Sequence, residues 1–496
     1  LLTCLTLLAG VAAVRLSTRT GMPGLLLFLG IGLALGESGL GIQFDDGQLA
    51  FNLATIMVAL LLVDGGFTTR WADLRPVAAR SGLLASVGVL ASVAIAAGLS
   101  MVILDVDLRT AILLAAMVSS TDAAAVFAIL RRLPIKPRVR TTLEGESSFN
   151  DAPAIILVTV VVSDAWNQES VIGMIGTGLY QLVMGAVIGL VIARIGQFIT
   201  SRASLPSAGL YPIATIAIAM VAFAVSGVLG ASGLLAAYIA GLWLGNQALP
   251  HHATTAGFAE SVGYLAQIFL FVMLGLLASP SQIPAAIVPA LVVGSALTFI
   301  ARPLAVLACL SPFRVKLGEQ AFISWAGMRG AVPIMLATIP LTQHLPGASQ
   351  MFHIVFVLVV TFTLLQGPTL PLAARVCRVT QPLSPQQVMF DSSPLEGLNA
   401  SLLQFEIPAG SRLSGVVLED LRLPGGAVLS LVVRGRDIIE PRPHTRLRSG
   451  DKLVMAVTGD VVELTQARLL LLNDHGPLAR WLQSGRNRRQ VLGRED

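Results

Sequence analysis

The chain has 496 residues, 54% of them hydrophobic and only 12% charged, with a net charge of +5 and a mean hydropathy of +0.78. Soluble proteins carry about 25% charged residues, and a water-soluble core of this size cannot hide so much apolar surface. Disorder, collagen, a coiled coil and a disulfide-stapled secreted module are excluded, and a polytopic membrane protein remains.

A bilayer core of about 30 Å takes about 20 apolar residues per helix. Splitting the apolar runs at charges and Gly/Pro clusters gives about thirteen spans. They lie near 1–14, 23–36, 50–67, 80–104, 109–130, 141–163, 171–198, 208–228, 231–248, 261–279, 283–309, 319–341 and 350–376. The first begins inside an apolar run with no A-x-A-like cleavage site before Arg15, so it reads as a clipped span rather than a leader. Alternate loops are basic, with Arg15 and Arg19, then Arg70, Arg75 and Arg80, then Arg131, Arg132, Lys136, Arg138 and Arg140. The loops between them carry Glu37, Asp45, Asp46, Asp105, Asp107, Asp164 and Glu169. The positive-inside rule then places the end of the chain in the cytoplasm. His251 and His252 fall in a loop of the same side and read as a solvated pair.

Nearly half of the charged side chains lie in residues 375–496, which marks a second regime after a transmembrane domain at 1–378. Residues 379–397 read as a Pro/Ser/Gln linker. From 398 to 472 the hydrophobic period changes to alternation, with short strands at LLQFEIP, VVLEDLRLP, AVLSLVVRG and KLVMAVTG and a closing helix at VVELTQARLLLL. Residues 473–496 read as a solvated tail. The expected fold is therefore an all-α polytopic membrane domain followed by a small α+β domain. Cys4, Cys309 and Cys377 show no CxxC spacing and support neither a disulfide framework nor a metal site. No nucleotide or cofactor motif is read, and the basic span ends do not imply nucleic acid.

Ionisable groups inside a membrane are costly and presumptively functional. In VSSTDAAAVFAIL, Thr121 and Asp122 sit mid-run, as an interrupted helix with cation-coordinating carbonyls requires; a helix cap is the plainer reading. In LEGESSFNDAPAIILV, Glu146 and Asn150 share one helix face and Asp151 the adjoining one, with Pro153 loosening the helix. Asp151 with Ser147 and Asn150 supplies hard oxygen ligands of the kind alkali cations prefer. One such carboxylate holds either a proton or a cation. Arg302 and Arg329 each need a carboxylate or carbonyls, with Glu146 and Asp122 as candidates, although Arg302 near a helix end also fits snorkelling. Gly327, Gly330 and Pro333 around Arg329 suggest a second interrupted helix. Asp64, at a span end, fits a funnel lining or a cap equally. Interrupted helices seven spans apart have opposite orientation, the arithmetic of an inverted repeat.

The motifs STDAAAVF, ESSFNDAPA, AYIAGLWLGN and GMRGAVP, in that order, resemble the NhaP-type members of the first cation:proton antiporter family. The resemblance implies thirteen spans, a homodimer, and crossed unwound helices 5 and 12. It assigns transport to Asn150 and Asp151, the unwound-helix pair to Thr121 and Asp122, an ion-coordinating serine to Ser147, a structural ion pair to Glu146 and Arg302, and the helix-12 arginine to Arg329. Many members carry Glu where this chain has Asp64; the shorter acid and its DGG setting resemble the K+/H+ branch. Residues from SLLQFEIPAG through GDKLVMAVTG resemble a TrkA-C lobe, the C-terminal half of K+-conductance regulator domains, without the Rossmann half that would bind NAD. Such lobes dimerise and bind small ligands.

The expectation is a secondary transporter exchanging cytoplasmic K+, or Na+, for external H+, in a bacterial inner membrane. A ligand-gated K+ channel is the alternative, since TrkA-C lobes also gate channels; no TVGYG-like filter occurs. No HExxH, GxSxG or paired-aspartate motif supports an enzyme.

Overall fold

A computed structural model describes residues 2–20, 23–37, 39–42, 44, 46–121, 135–163, 166, 171–203, 205–247, 249–380, 390–395, 400–408, 411–435, 437–458 and 461–475. The chain divides into two units, Leu1–Thr380 and Gln381–Asp496.

The described part of the first unit is built of helices joined by short turns and breaks. Its helices are α1 (Leu2–Thr20), α2 (Gly24–Leu35), α3 (Gly47–Thr68), α4 (Ala78–Leu104), α5 (Leu108–Met117), α6 (Pro137–Phe149) and α7 (Asp151–Val162). They continue with α8 (Val171–Arg202), α9 (Leu210–Val228), α10 (Gly233–Gly245), α11 (His252–Leu276), α12 (Pro280–Phe313), α13 (Leu317–Ala326), α14 (Ala331–Thr342) and α15 (Ala348–Val376). Helix occupies part of every expected span. By length and apolarity, seven of the described helices suffice to cross a bilayer, or eight when α13 and α14, bent by 50°, count as one span. The shorter apolar helices include α2, α5 and α10.

Polar residues mark the helix starts. Asp46 accepts from the Leu49 amide at 2.9 Å to open α3, and Asp107 from the Thr110 amide at 3.1 Å to open α5, each satisfying one of the orphan donors of a first turn. Hydrogen bonds to Thr110 are the main reason the Asp107 carboxyl is held below the usual carboxylate range.

Inside a bilayer no hydrophobic force drives helices together, so close contact depends on small residues. The α3–α10 pair shows this. A Cβ on Gly66 would lie 2.5 Å from the Tyr238 carbonyl oxygen, and one on Gly241 2.5 Å from that of Val63. The Gly/Ala-rich sequence of α10 thus packs backbone to backbone on α3.

One expectation needs correcting here. Helix α11 begins at His252, well before residue 261. His252 Nε2 bonds to the Gly245 carbonyl at 2.8 Å and its ring stacks on Phe67 at 5.0 Å, while His251 lies against Tyr211. The pair is half-buried rather than solvated, because each imidazole covers an aromatic face.

The chain leaving α15 is tied back to the start of α6. The Lys136 amide donates to the Val379 carbonyl at 3.1 Å, Ile135 and Thr380 form an isolated antiparallel bridge, and Lys136 Nζ reaches Glu319 on α13 at 2.9 Å. A Cβ on Gly318 would meet the Cys377 carbonyl at 2.5 Å.

Among its described residues, the second unit holds an antiparallel five-stranded sheet in the order β1-β2-β5-β3-β4 and one α-helix. The strands are β1 (Phe390–Leu395), β2 (Ala400–Glu406), β3 (Ala427–Arg434), β4 (Asp437–Ile439) and β5 (Asp451–Thr458), followed by α16 (Val462–His475). Leu453, Met455 and Val457 alternate into the core with Leu403, Phe405, Leu469 and Leu472, the period-2 signature of a strand with one buried face. Strand β1 pairs with β2 from Phe390↔Phe405 to Leu395↔Ala400, inside the segment expected to be linker. Its sequence, FDSSPL, disguises it: Pro cannot donate to a ladder and is tolerated at a sheet edge, where β1 lies. VVLEDLRLP, expected as a strand, forms a turn with a short 3-10 helix at Leu418–Leu421. The expected tail is helical through His475, and its remainder lies outside the described residues.

Candidate functional site

Helix α5 ends at Met117, a last turn closes with the Ser119 amide on the Ala116 carbonyl at 3.2 Å, and Ser120 and Thr121 follow outside any helix. Across from it, α13 stops at Ala326 and α14 resumes at Ala331, with Gly327 and Gly330 in non-helical conformations between. The two interruptions touch. Arg329 Nε donates to the Val118 carbonyl at 3.3 Å, an Arg329 Nη1 bond closes on the Gly327 carbonyl, and the Arg329 carbonyl accepts from Thr363 at 3.0 Å. Non-helical backbone is tolerated in a bilayer only when its freed groups are satisfied within the protein. Arg329, buried at 1% exposure, does that for both breaks. Among the described residues, its side-chain hydrogen bonds go to carbonyls.

Helix α6 ends at Phe149, and Asn150 joins it to α7. This junction delivers Ser147, Asn150 and Asp151 to the α5 break. Asn150 Nδ2 donates to Thr121 Oγ1 at 2.7 Å, Thr121 and Ser147 share a hydroxyl hydrogen bond of 2.9 Å, and Ser120 donates to Asp151 Oδ1 at 2.7 Å. All five side chains are buried. Of the expected site residues, Thr121, Ser147, Asn150 and Asp151 are thus brought together. Asp122 lies outside the described residues.

Ser120 was not singled out from the sequence, where it is one of two adjacent serines in VSST. Only the path of the chain after α5 tells which hydroxyl reaches the acid. Ser147, expected beside Asp151, bonds instead to Thr121.

One turn earlier on α6, Glu146 receives both terminal nitrogens of Arg302, with Nη2 to Oε2 at 2.9 Å. The snorkelling alternative for Arg302 is therefore not what the structure shows: both side chains are buried. The guanidinium lies against Gly327, where a Cβ would come 2.9 Å from Arg302 Nε. The pair thus connects α6, α12 and the break before α14. Asp64 is half-buried on α3, its carboxylate facing Gly263 of α11.

A titratable acid among hydroxyl and amide oxygens, where two helices are interrupted inside a membrane bundle, can trade a proton for a small cation. The class this defines is the secondary cation:proton antiporter.

Comparison with known proteins agrees. Residues 4–376 match the transmembrane sodium/hydrogen exchanger family, and residues 402–470 match the TrkA-C domain. The chain belongs to the sodium/hydrogen exchanger family and carries a TrkA-C domain. It is 34% identical over 469 residues to the K(+)/H(+) antiporter NhaP of Alkalimonas amylolytica, covering 92% of this chain and 81% of that one. It is 33% identical to the K(+)/H(+) antiporter NhaP2 of Shewanella baltica, over 88% of this chain and 77% of that one. The sodium proton antiporter MjNhaP1 of Methanocaldococcus jannaschii shares the fold, with a TM-score of 0.67, 22% identity, and coverage of 76% of this chain and 97% of that chain.

Proposed function

We propose that this antiporter exchanges cytoplasmic K+ for external H+, one for one and without net charge movement, in cation and pH homeostasis. The carrying observation is Asp151, buried and hydrogen-bonded by Ser120 beside the Thr121–Asn150–Ser147 cluster. Its carboxylate alternates between proton and cation, and the neighbouring oxygens replace the water that the cation sheds. Asn150 stands beside it as a neutral partner, which leaves one titrating group per cycle. K+ as the cation is supported by the names of the relatives that match most of the chain. The protein works as a homodimer in the inner membrane, and the TrkA-C domain lies in the cytoplasm, as the basic loops favour.

Proteoliposomes tested with K+, Na+, Rb+ and Li+, with and without a clamped membrane potential, decide this. K+-driven proton movement that ignores the clamp and disappears in a folded Asp151→Asn variant supports the reading. Exchange with Na+ alone overturns the cation. A rate that follows the clamp overturns the stoichiometry, and normal exchange by the Asp151→Asn variant overturns the site.

A further inference from the structure

Two adjacent serines follow α5, and their hydroxyls have different partners. Ser119 Oγ folds back and donates to the Ala116 carbonyl at 2.8 Å. Ser120 Oγ crosses to α7 and donates to Asp151 Oδ1 at 2.7 Å, with the two residues 0% and 5% exposed. Thr121 and Ser147 bond instead to each other, and Thr121 accepts from Asn150. Asn150 Oδ1 is buried with no hydrogen-bond partner among the described residues. The cluster therefore sets a hydrogen-bonded carboxylate beside a neutral amide oxygen that remains available as an acceptor.

Discrimination between alkali cations depends on the strength of the field at the ligand oxygens. Na+ is smaller than K+ and holds its water more tightly. A strong anionic field offsets the loss of that water best for the small ion, and a weaker field favours the larger ion, which dehydrates more easily. A bare buried carboxylate is a strong-field ligand. A hydroxyl that donates to one of its oxygens makes a charge-assisted bond, which draws negative charge toward the shared proton and weakens the field left for a cation. Asn150 acts in the same sense, because its oxygen carries no net charge.

We propose that Ser120 is a specificity-determining residue, whose hydroxyl damps the field of the Asp151 carboxylate and so favours K+ over Na+. It acts through Asp151 and not as a ligand itself, and the inference rests on the K+ reading given above.

The experiment uses the full chain in proteoliposomes, with exchange measured against K+ and against Na+ at one alkaline pH, where protons compete least. The ratio of the two half-maximal concentrations cancels any effect common to both cations, including a general loss of folded protein. Ser120→Ala should move that ratio several-fold toward Na+ and lower the Na+ concentration required. Where the original chain takes no Na+, the same shift reads as Na+ exchange gained. Ser120→Thr keeps the hydroxyl and should restore the original ratio. Ser119→Ala removes the neighbouring buried hydroxyl and should lower the melting temperature without moving the ratio. An unchanged ratio in Ser120→Ala, or an equal shift in Ser119→Ala, overturns the proposal. So does a Na+ requirement that rises, since loss of a direct ligand weakens both cations. An original chain that exchanges Na+ alone overturns the K+ reading and this proposal with it. A K+-selective chain whose ratio ignores Ser120→Ala overturns this proposal alone. If Ser120→Ala does not fold, Ser120→Cys, with a weaker donor in the same place, carries the same comparison.

Discussion

Arg302 places both terminal nitrogens on the Glu146 carboxylate, and the two side chains are 4% and 0% exposed. Removing one partner of such a pair strands a buried charge, at a cost of about 3–5 kcal/mol, whereas removing both is often nearly neutral. Glu146→Gln and Arg302→Met should each lower the melting temperature, and the double variant should recover part of the loss. Purely additive losses would show that the two residues do not act as a pair.

The Thr121 hydroxyl is the acceptor for Asn150 Nδ2 and a partner of Ser147. Thr121→Ala leaves a buried amide donor unsatisfied, at about 1–3 kcal/mol. The variant should melt at lower temperature and require more cation for half-maximal exchange, and Thr121→Ser should restore both. If Thr121→Ala transports with an unchanged cation requirement, the cluster does not contribute to cation binding.

Backbone contact between α3 and α10 leaves no room at Gly241. The added methyl of Gly241→Ala would sit 2.5 Å from a main-chain oxygen, and overpacking of this kind costs about 1–3 kcal/mol. Thermal unfolding in detergent should report a loss of that size. Gly98, with open space at its Cβ, should accept Ala without loss.

In the TrkA-C domain, burial by itself raises the Asp451 carboxyl. The hydrogen bonds from Arg434 Nε and Nη2 and from the Arg448 amide, each 2.7 Å, overcome it and hold the group below the usual carboxylate range. A depressed folded value contributes stability that is complete above the unfolded value of about 3.9 and is lost as pH falls through the folded one. Asp451→Asn should cost this domain about 1.5–3 kcal/mol at neutral pH and flatten its stability profile below pH about 4. Amide exchange in β3 and β5 measures this, with α3 amides as the internal reference.

Deleting 385–496 should leave exchange intact and alter its pH or cation activation profile. A regulatory domain acts only by favouring one state of the transporter over another. Superimposable activation curves at matched expression would mean that the domain only assembles the protein.

Charge in apolar runs made much of the site legible before any coordinates. A buried acid must find a base, which made Glu146 and Asp122 candidates for Arg302 and Arg329, and the resemblance narrowed this to Glu146 with Arg302, 156 residues apart. The same logic left Arg329 open, since a guanidinium is satisfied equally by carbonyls, and carbonyls carry no mark in a sequence. Ser147 was expected beside Asp151 and Ser120 was missed, because outside a helix the 3.6-residue period no longer says where the Ser120 side chain points. The first strand was hidden for the opposite reason: at a sheet edge, pairing tolerates residues that central strands exclude.

The two main-chain links that hold Val379 and Thr380 to Lys136 and Ile135 set a practical limit on where the gene can be cut. Shortening the protein at the last apolar residue of α15, where hydropathy ends, would remove the partner strand of the segment that starts α6. Exchange lost on such a cut would report a frayed helix start rather than a missing regulator. A deletion meant to isolate transport from control must therefore keep the chain through Thr380, and paired deletions ending on either side of that residue separate the two effects.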